Sequence, residues 1–237
     1  NIYFMGGCAA FLSFIIVLFD IIFGSVTSGN LSILPQTAIE KFSELQQSWF
    51  LGLYHLDLLN VINALIMIPV YFALFAVHRQ TNLPYAIFVL VLFLIGTTVF
   101  VTTNSALPML ELSKKYYWLT DETQKNLLAA AGEAMLARGG HGSLGVFIGF
   151  VLSTISSICM SLVMLQGLIF NKIISYIGII GYTLLLIYIF LVTFVPEIQS
   201  IAVLIAAPGG LLALVWVLTV GIKLIHLGYD KNRTAAE

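Results

Sequence analysis

The sequence predicts an all-α integral membrane protein, a bundle of about six transmembrane helices, and three observations lead there. Of its 237 residues 60% are hydrophobic and only 9% charged, whereas a soluble domain carries roughly a quarter of its residues as Asp, Glu, Lys and Arg. The apolar residues fall in long blocks, and about 20 such residues cross a bilayer as a helix. Few ionisable side chains interrupt those blocks, as expected where each would cost about 2.5–3.5 kcal/mol in hydrocarbon. The chain is therefore read as one transmembrane domain over residues 1–237.

The first block, Met5 to Phe23, is longer than the core of a secretory signal and carries Asp20, so it is expected as a true span near 5–26. The others are placed near 49–77, 84–101, 143–170, 173–195 and 201–227. The second and fourth, at roughly 28 residues and 40 Å, exceed a hydrocarbon core of about 30 Å and must tilt or bend. Pro69 is the expected bend in the second, and Pro208-Gly209-Gly210 marks an expected local break or kink in the sixth.

The stretch from Thr102 to His141 is too long to be structureless. Asp121 and Glu122 open a helix over 121–138, with Leu127, Leu128, Ala131, Ala134 and Met135 at helical spacing and Gly139-Gly140 ending it. An extracytoplasmic amphipathic helix between spans 3 and 4 is the expectation, either a lid over a pocket or a helix resting at the lipid interface.

Positive residues are retained on the cytoplasmic face. Arg79, Lys172, Lys223, Lys231 and Arg233 share one side, while Glu40, Glu44, Glu111, Asp121, Glu122, Glu133 and Glu197 gather on the other, together with Lys41, Lys114, Lys115, Lys125 and Arg138. The balance predicts a multi-pass protein of the cell membrane with both termini cytoplasmic. With a net charge of −1 and no basic run, nucleic acid is excluded as an expected partner. Cys8 and Cys159 lie inside apolar blocks and read as small buried hydrophobes.

Polar residues within the spans carry the functional expectation. Asp20 and Asp57 lie at one level, roughly 10 Å from the outer ends of their helices at 1.5 Å per residue. Asn60 and Asn63 continue from Asp57 as a stripe, His55 stands half a turn above, Thr98 lies in the outer half of span 3, and His141 stands at the entrance of span 4. Asp20, His55, Asp57, Asn60, Asn63, Thr98 and His141 make a candidate outward-opening pocket. The competing reading of the two carboxylates is a neutral, hydrogen-bonded pair that fixes helix packing.

His55 and His141 are weak metal candidates without ligand spacing, so no metal, cofactor or catalytic residue is assigned. Gly140-His141-Gly142-Ser143-Leu144-Gly145 lacks the first glycine of a nucleophile elbow, and its glycines are expected to unwind the chain before span 4. Ser153, Thr154, Ser156, Ser157 and Ser161 read as small interhelical contacts.

The runs Thr103-Asn104-Ser105-Ala106, Asp121-Glu122-Thr123-Gln124-Lys125 and Ala130-Ala131-Gly132-Glu133-Ala134-Met135-Leu136-Ala137, with Ser161-Leu162-Val163-Met164-Leu165, Ile177-Gly178-Ile179 and the closing helix around Trp216, resemble a prokaryotic multi-pass membrane family catalogued as domain of unknown function 4386. The resemblance implies six spans and a prokaryotic cell membrane, and brings no catalytic residues. The functional expectation is a non-enzymatic protein, embedded in the lipid bilayer, that binds a lipid or small amphipathic ligand in the pocket. An intramembrane metal-assisted hydrolase using His55, Asp57 and His141, or an accessory subunit of a larger membrane complex with an unnamed protein partner, are the alternatives.

Overall fold

The computed structural model describes residues 1–27 and 37–234. Its helices are α1 (Ile2–Thr27), α2 (Ala38–Gln47), α3 (Trp49–His55), α4 (Leu58–His78), α5 (Leu83–Thr103), α6 (Ala106–Trp118), α7 (Glu122–Gly139), α8 (Leu144–Gln166), α9 (Lys172–Phe194) and α10 (Gln199–Thr234), with a 3-10 turn at Pro196–Ile198 before the last. Six of them, α1, α4, α5, α8, α9 and α10, contain windows long and apolar enough to cross a membrane.

Those six form an up-and-down ring. Each packs on the next in chain order, and α10 closes the ring against α1. Between apolar helices in lipid the association rests on close van der Waals packing, which small residues permit. Gly7 of α1 lies against Gly221 of α10, Gly96 of α5 against Ser153 of α8, and Gly181 of α9 against Gly209 of α10. The interior is filled by Met67, Val70, Tyr71 and Leu74 of α4, Phe93 of α5, Met160 and Met164 of α8, and Trp216, Val220 and Leu224 of α10. Tyr71 stacks on Phe93 at 3.7 Å and bonds Ser157 of α8 through its hydroxyl at 2.6 Å. Ser156 donates to the Val89 carbonyl of α5 at 2.9 Å, so the serines of α8 tie it to its neighbour α5 and across the interior to α4.

One end of the ring carries a cap. The spacing Thr37-x-x-Glu40 forms a reciprocal capping box that starts α2. Phe42 and Leu45 of α2, Leu53 and Leu56 at α3, and Ala106 and Met109 of α6 make a second apolar cluster. Ser113 of α6 donates to the Phe42 carbonyl at 2.9 Å, and Glu133 of α7 accepts the Ala38 amide at 2.7 Å.

Several expectations need correction. The second apolar block is two helices: α3 ends at His55, and α4 starts after Asp57, whose backbone is left-handed at φ 62°. Helix α4 runs unbroken through Pro69. Likewise α10 runs unbroken through Pro208-Gly209-Gly210, and Gly209 serves as a contact for α9. The 102–141 segment holds two helices, α6 as well as α7. A helix occupies 122–139: Leu128, Ala131 and Met135 are half-buried, Met135 and Leu136 pack on the second apolar cluster, Gly132 and Gly139 are buried, and Leu127 is 68% exposed. The side chains of Lys231 and Arg233 lie outside the described ones.

Candidate functional site

Three breaks in the chain meet where the cap joins the ring: the α3–α4 turn at Leu56-Asp57, the α5–α6 turn at Asn104-Ser105, and the α7–α8 connection from Gly140 to Ser143. Each break frees backbone groups, which must be satisfied if buried. The breaks satisfy one another. Asn104 donates through Nδ2 to the Leu56 carbonyl at 2.9 Å, the Ser105 amide donates to the Gly139 carbonyl at 3.4 Å, and Arg138 donates to the Thr102 carbonyl at 3.2 Å. Gly139 sits so close to Thr103 and Ser105 that a side chain there would collide with backbone. Gly142, at φ 73°, takes a conformation that glycine adopts at little cost and turns the chain into α8.

Asp57 is the centre of this junction. It occupies the N-cap of α4 but makes no side-chain cap bond. Instead its Oδ2 lies 2.9 Å from His141 Nδ1, and its Oδ1 accepts from Asn60 Nδ2 at 3.1 Å. The carboxylate is buried, whereas the His141 side chain is 46% exposed. His141 Nε2 lies 3.2 Å from the Tyr188 hydroxyl of α9. Carboxylate, imidazole and phenol thus form one chain from a buried helix start to the rim of the ring. As an imidazolium–carboxylate pair it carries no net charge, and the helix N-terminus adds a favourable partial positive end beside Asp57.

A second polar group lies within the cap. Glu44 of α2 accepts from His55 Nδ1 at 2.6 Å and pairs with Lys41 at 3.4 Å, all three side chains being at most 11% exposed. Burial pushes the Glu44 carboxyl up, but the hydrogen bond from His55 and the charge of Lys41 outweigh it and leave the group below the usual carboxylate range. His55 is therefore committed to holding α3 against α2.

Of the residues expected to share a pocket, Asp57, Asn60 and His141 meet directly. Asp20 stands near them across α1, its carbonyl accepting from the Tyr54 hydroxyl at 3.3 Å. His55 turns to Glu44, and Asn63 bonds Ser13 of α1 at 2.7 Å. Thr98 is exposed on α5, its carbonyl accepting from Thr102. Among the described residues no three His, Cys, Asp or Glu side chains group closely enough to hold a metal ion. Tyr188 and Asn104 are site residues that sequence reasoning did not single out. Tyr188 lies inside an apolar span with no distinguishing neighbour, but Asn104 follows a run of threonines at the end of α5, where a helix break is a reasonable reading.

The model of one family, described as a domain of unknown function (DUF4386), matches residues 9–221. Neither a curated protein nor a solved structure matches the chain.

Proposed function

We propose that this chain, which belongs to the DUF4386 family and has six helices able to cross a membrane, binds a lipid or small amphipathic ligand beside the junction of cap and ring. The observation that carries the reading is the Asp57–His141–Tyr188 chain, which runs from a buried carboxylate to a half-exposed imidazole and a half-buried phenol. Taken as the imidazolium of the pair with Asp57, His141 carries a proton on both ring nitrogens, so Nε2 donates to the Tyr188 oxygen and the phenol proton points elsewhere. Chains of this kind polarise one another, so the Tyr188 hydroxyl becomes a strong donor for an ester carbonyl or phosphate oxygen. Exposed apolar side chains of the same helix, Ile187 and Phe190 of α9, offer surface for a hydrocarbon tail.

The proposal keeps the orientation drawn from the positive residues, with the cap outside a prokaryotic cell membrane and both termini in the cytoplasm. The test is mass spectrometry of organic extracts from protein purified in mild detergent, comparing wild type with Tyr188→Phe, Asp57→Asn and Asp57→Leu. A compound that accompanies the wild type in fixed ratio and falls at least fivefold in Tyr188→Phe supports the reading. Equal content in all four proteins at matched monodispersity refutes it.

A further inference from the structure

The opposite end of the ring carries a cleft of about 420 Å³, lined by Tyr3, Ala76, Val77, Arg79, Gln80, Ile169, Leu227 and Asp230. It lies among the start of α1, the end of α4, the bend after α8 and the last turns of α10. Its volume is within the range of small-ligand sites, about 300–1,000 Å³. The lining divides by chemistry: Ala76, Val77, Ile169 and Leu227 are apolar, while Arg79, Gln80, Tyr3 and Asp230 are polar.

Arg79 is the C-cap residue of α4, one position beyond the last residue of a membrane-crossing helix, so it stands at headgroup depth. It is exposed, and its guanidinium has no hydrogen bond or ion pair among the described residues. A guanidinium presents a planar fork that matches the oxygens of a phosphate, and the carboxylate of Asp230 in the same lining leaves the cleft near neutral as a whole. Gln80 adds a neutral amide donor beside it. The apolar lining suits a glycerol backbone and the first carbons of an acyl chain, which a free anion would leave unused.

We infer that this cleft is a phospholipid site, in which Arg79 binds the headgroup phosphodiester and Ile169 and Leu227 pack on the glycerol and upper chain. The site is independent of the Tyr188 junction, which lies at the other end of the ring.

Native mass spectrometry of the full chain, titrated with phosphatidylglycerol in detergent, tests it. One lipid per chain is retained by the wild type and by Tyr188→Phe, and retention falls about tenfold in Arg79→Gln with partial recovery in Arg79→Lys. Ile169→Trp, which keeps the charge but fills the cleft, loses the lipid as well. Retention by Arg79→Gln or by Ile169→Trp equal to wild type overturns the proposal. Thermal stabilisation by inorganic phosphate alone, matching that of the lipid, overturns the lipid assignment in favour of a free anion; diacylglycerol without phosphate, retained as well as phosphatidylglycerol, overturns the role of Arg79.

Discussion

Asp57 offers a perturbation whose magnitude can be worked from the structure. Its residue does two things at once: it holds a left-handed backbone, φ 62°, and it places a buried carboxylate against His141 and Asn60. Alanine in that backbone costs about 1–2 kcal/mol, a penalty that Asp and Asn partly escape through local hydrogen bonding. Removing the carboxylate forfeits a charge-assisted bond worth about 1.5 kcal/mol, the low end of its range because His141 is 46% exposed, and a bond to Asn60 worth about 1 kcal/mol. Asp57→Ala should therefore destabilise by roughly 3–5 kcal/mol. Asp57→Gly loses the same bonds without the backbone penalty and should retain about 1 kcal/mol more. Asp57→Asn keeps both backbone and hydrogen-bonding capacity, and should cost about 1–2 kcal/mol. Thermal unfolding followed by far-ultraviolet circular dichroism in one detergent reads the order Asn, then Gly, then Ala, with a fall on the order of 10 °C for Ala. Equal midpoints for Gly and Ala would refute the backbone part of the reasoning. All three within about 2 °C of wild type would refute the whole of it.

Glu44 carries a pH dependence whose sign is set by its lowered carboxyl. Because the folded value lies below the unfolded one, the stabilisation is complete above about pH 4.5 and is lost as pH falls through the folded value. A pH series of unfolding midpoints should fall more steeply below pH 4.5 for wild type than for Glu44→Gln, and parallel curves would contradict the pairing. Gly178 of α9 faces Ser161 and Trp216 too closely to admit a methyl group, so Gly178→Ala should destabilise by about 1–3 kcal/mol. Gly210→Ala, with nothing near the new atom, should be neutral or stabilising by up to about 1 kcal/mol, and both are checked by the same thermal scan. Cysteines at Phe4 and Tyr229, whose rings meet at 5.6 Å, in a background without Cys8 and Cys159, should be joined by a short bifunctional thiol reagent if α10 closes the ring on α1.

The six spans were legible because membrane burial imposes length and apolarity on every residue of a segment, a signal spread over about 20 positions. Breaks inside such segments rest on single residues and are harder to read. Helices α4 and α10 continue through Pro69 and Pro208, since a helix in lipid tolerates proline where neighbouring groups compensate for the lost bond. The real break, at Asp57, comes from an aspartate held left-handed by contacts with distant parts of the chain: His141 lies 84 positions away and Asn104 bonds the preceding carbonyl across 48. No local pattern encodes that. Asp57, Asn60 and His141 were identified because ionisable and amide groups at membrane depth are rare, whereas Tyr188 was hidden by its apolar surroundings. Helix α2 was not expected, although Thr37-x-x-Glu40 has the spacing of a capping box, because the apolar blocks on either side overshadow it. On α7, Gly132 makes the close contact with Ala38 and Phe42 of α2, and Met135 and Leu136 pack on the same cluster.

The arrangement of the chain across the bilayer underlies both proposed sites, since it puts His141 and Arg79 at opposite ends of the ring. Single cysteines at Gln80, Lys172, His141 and Glu197, introduced without Cys8 and Cys159 and labelled in sealed vesicles by a membrane-impermeant maleimide, test it most directly. Positions 80 and 172 should react together from one face, and positions 141 and 197 together from the other. Reaction of 80 and 197 from the same face would contradict the six-span ring.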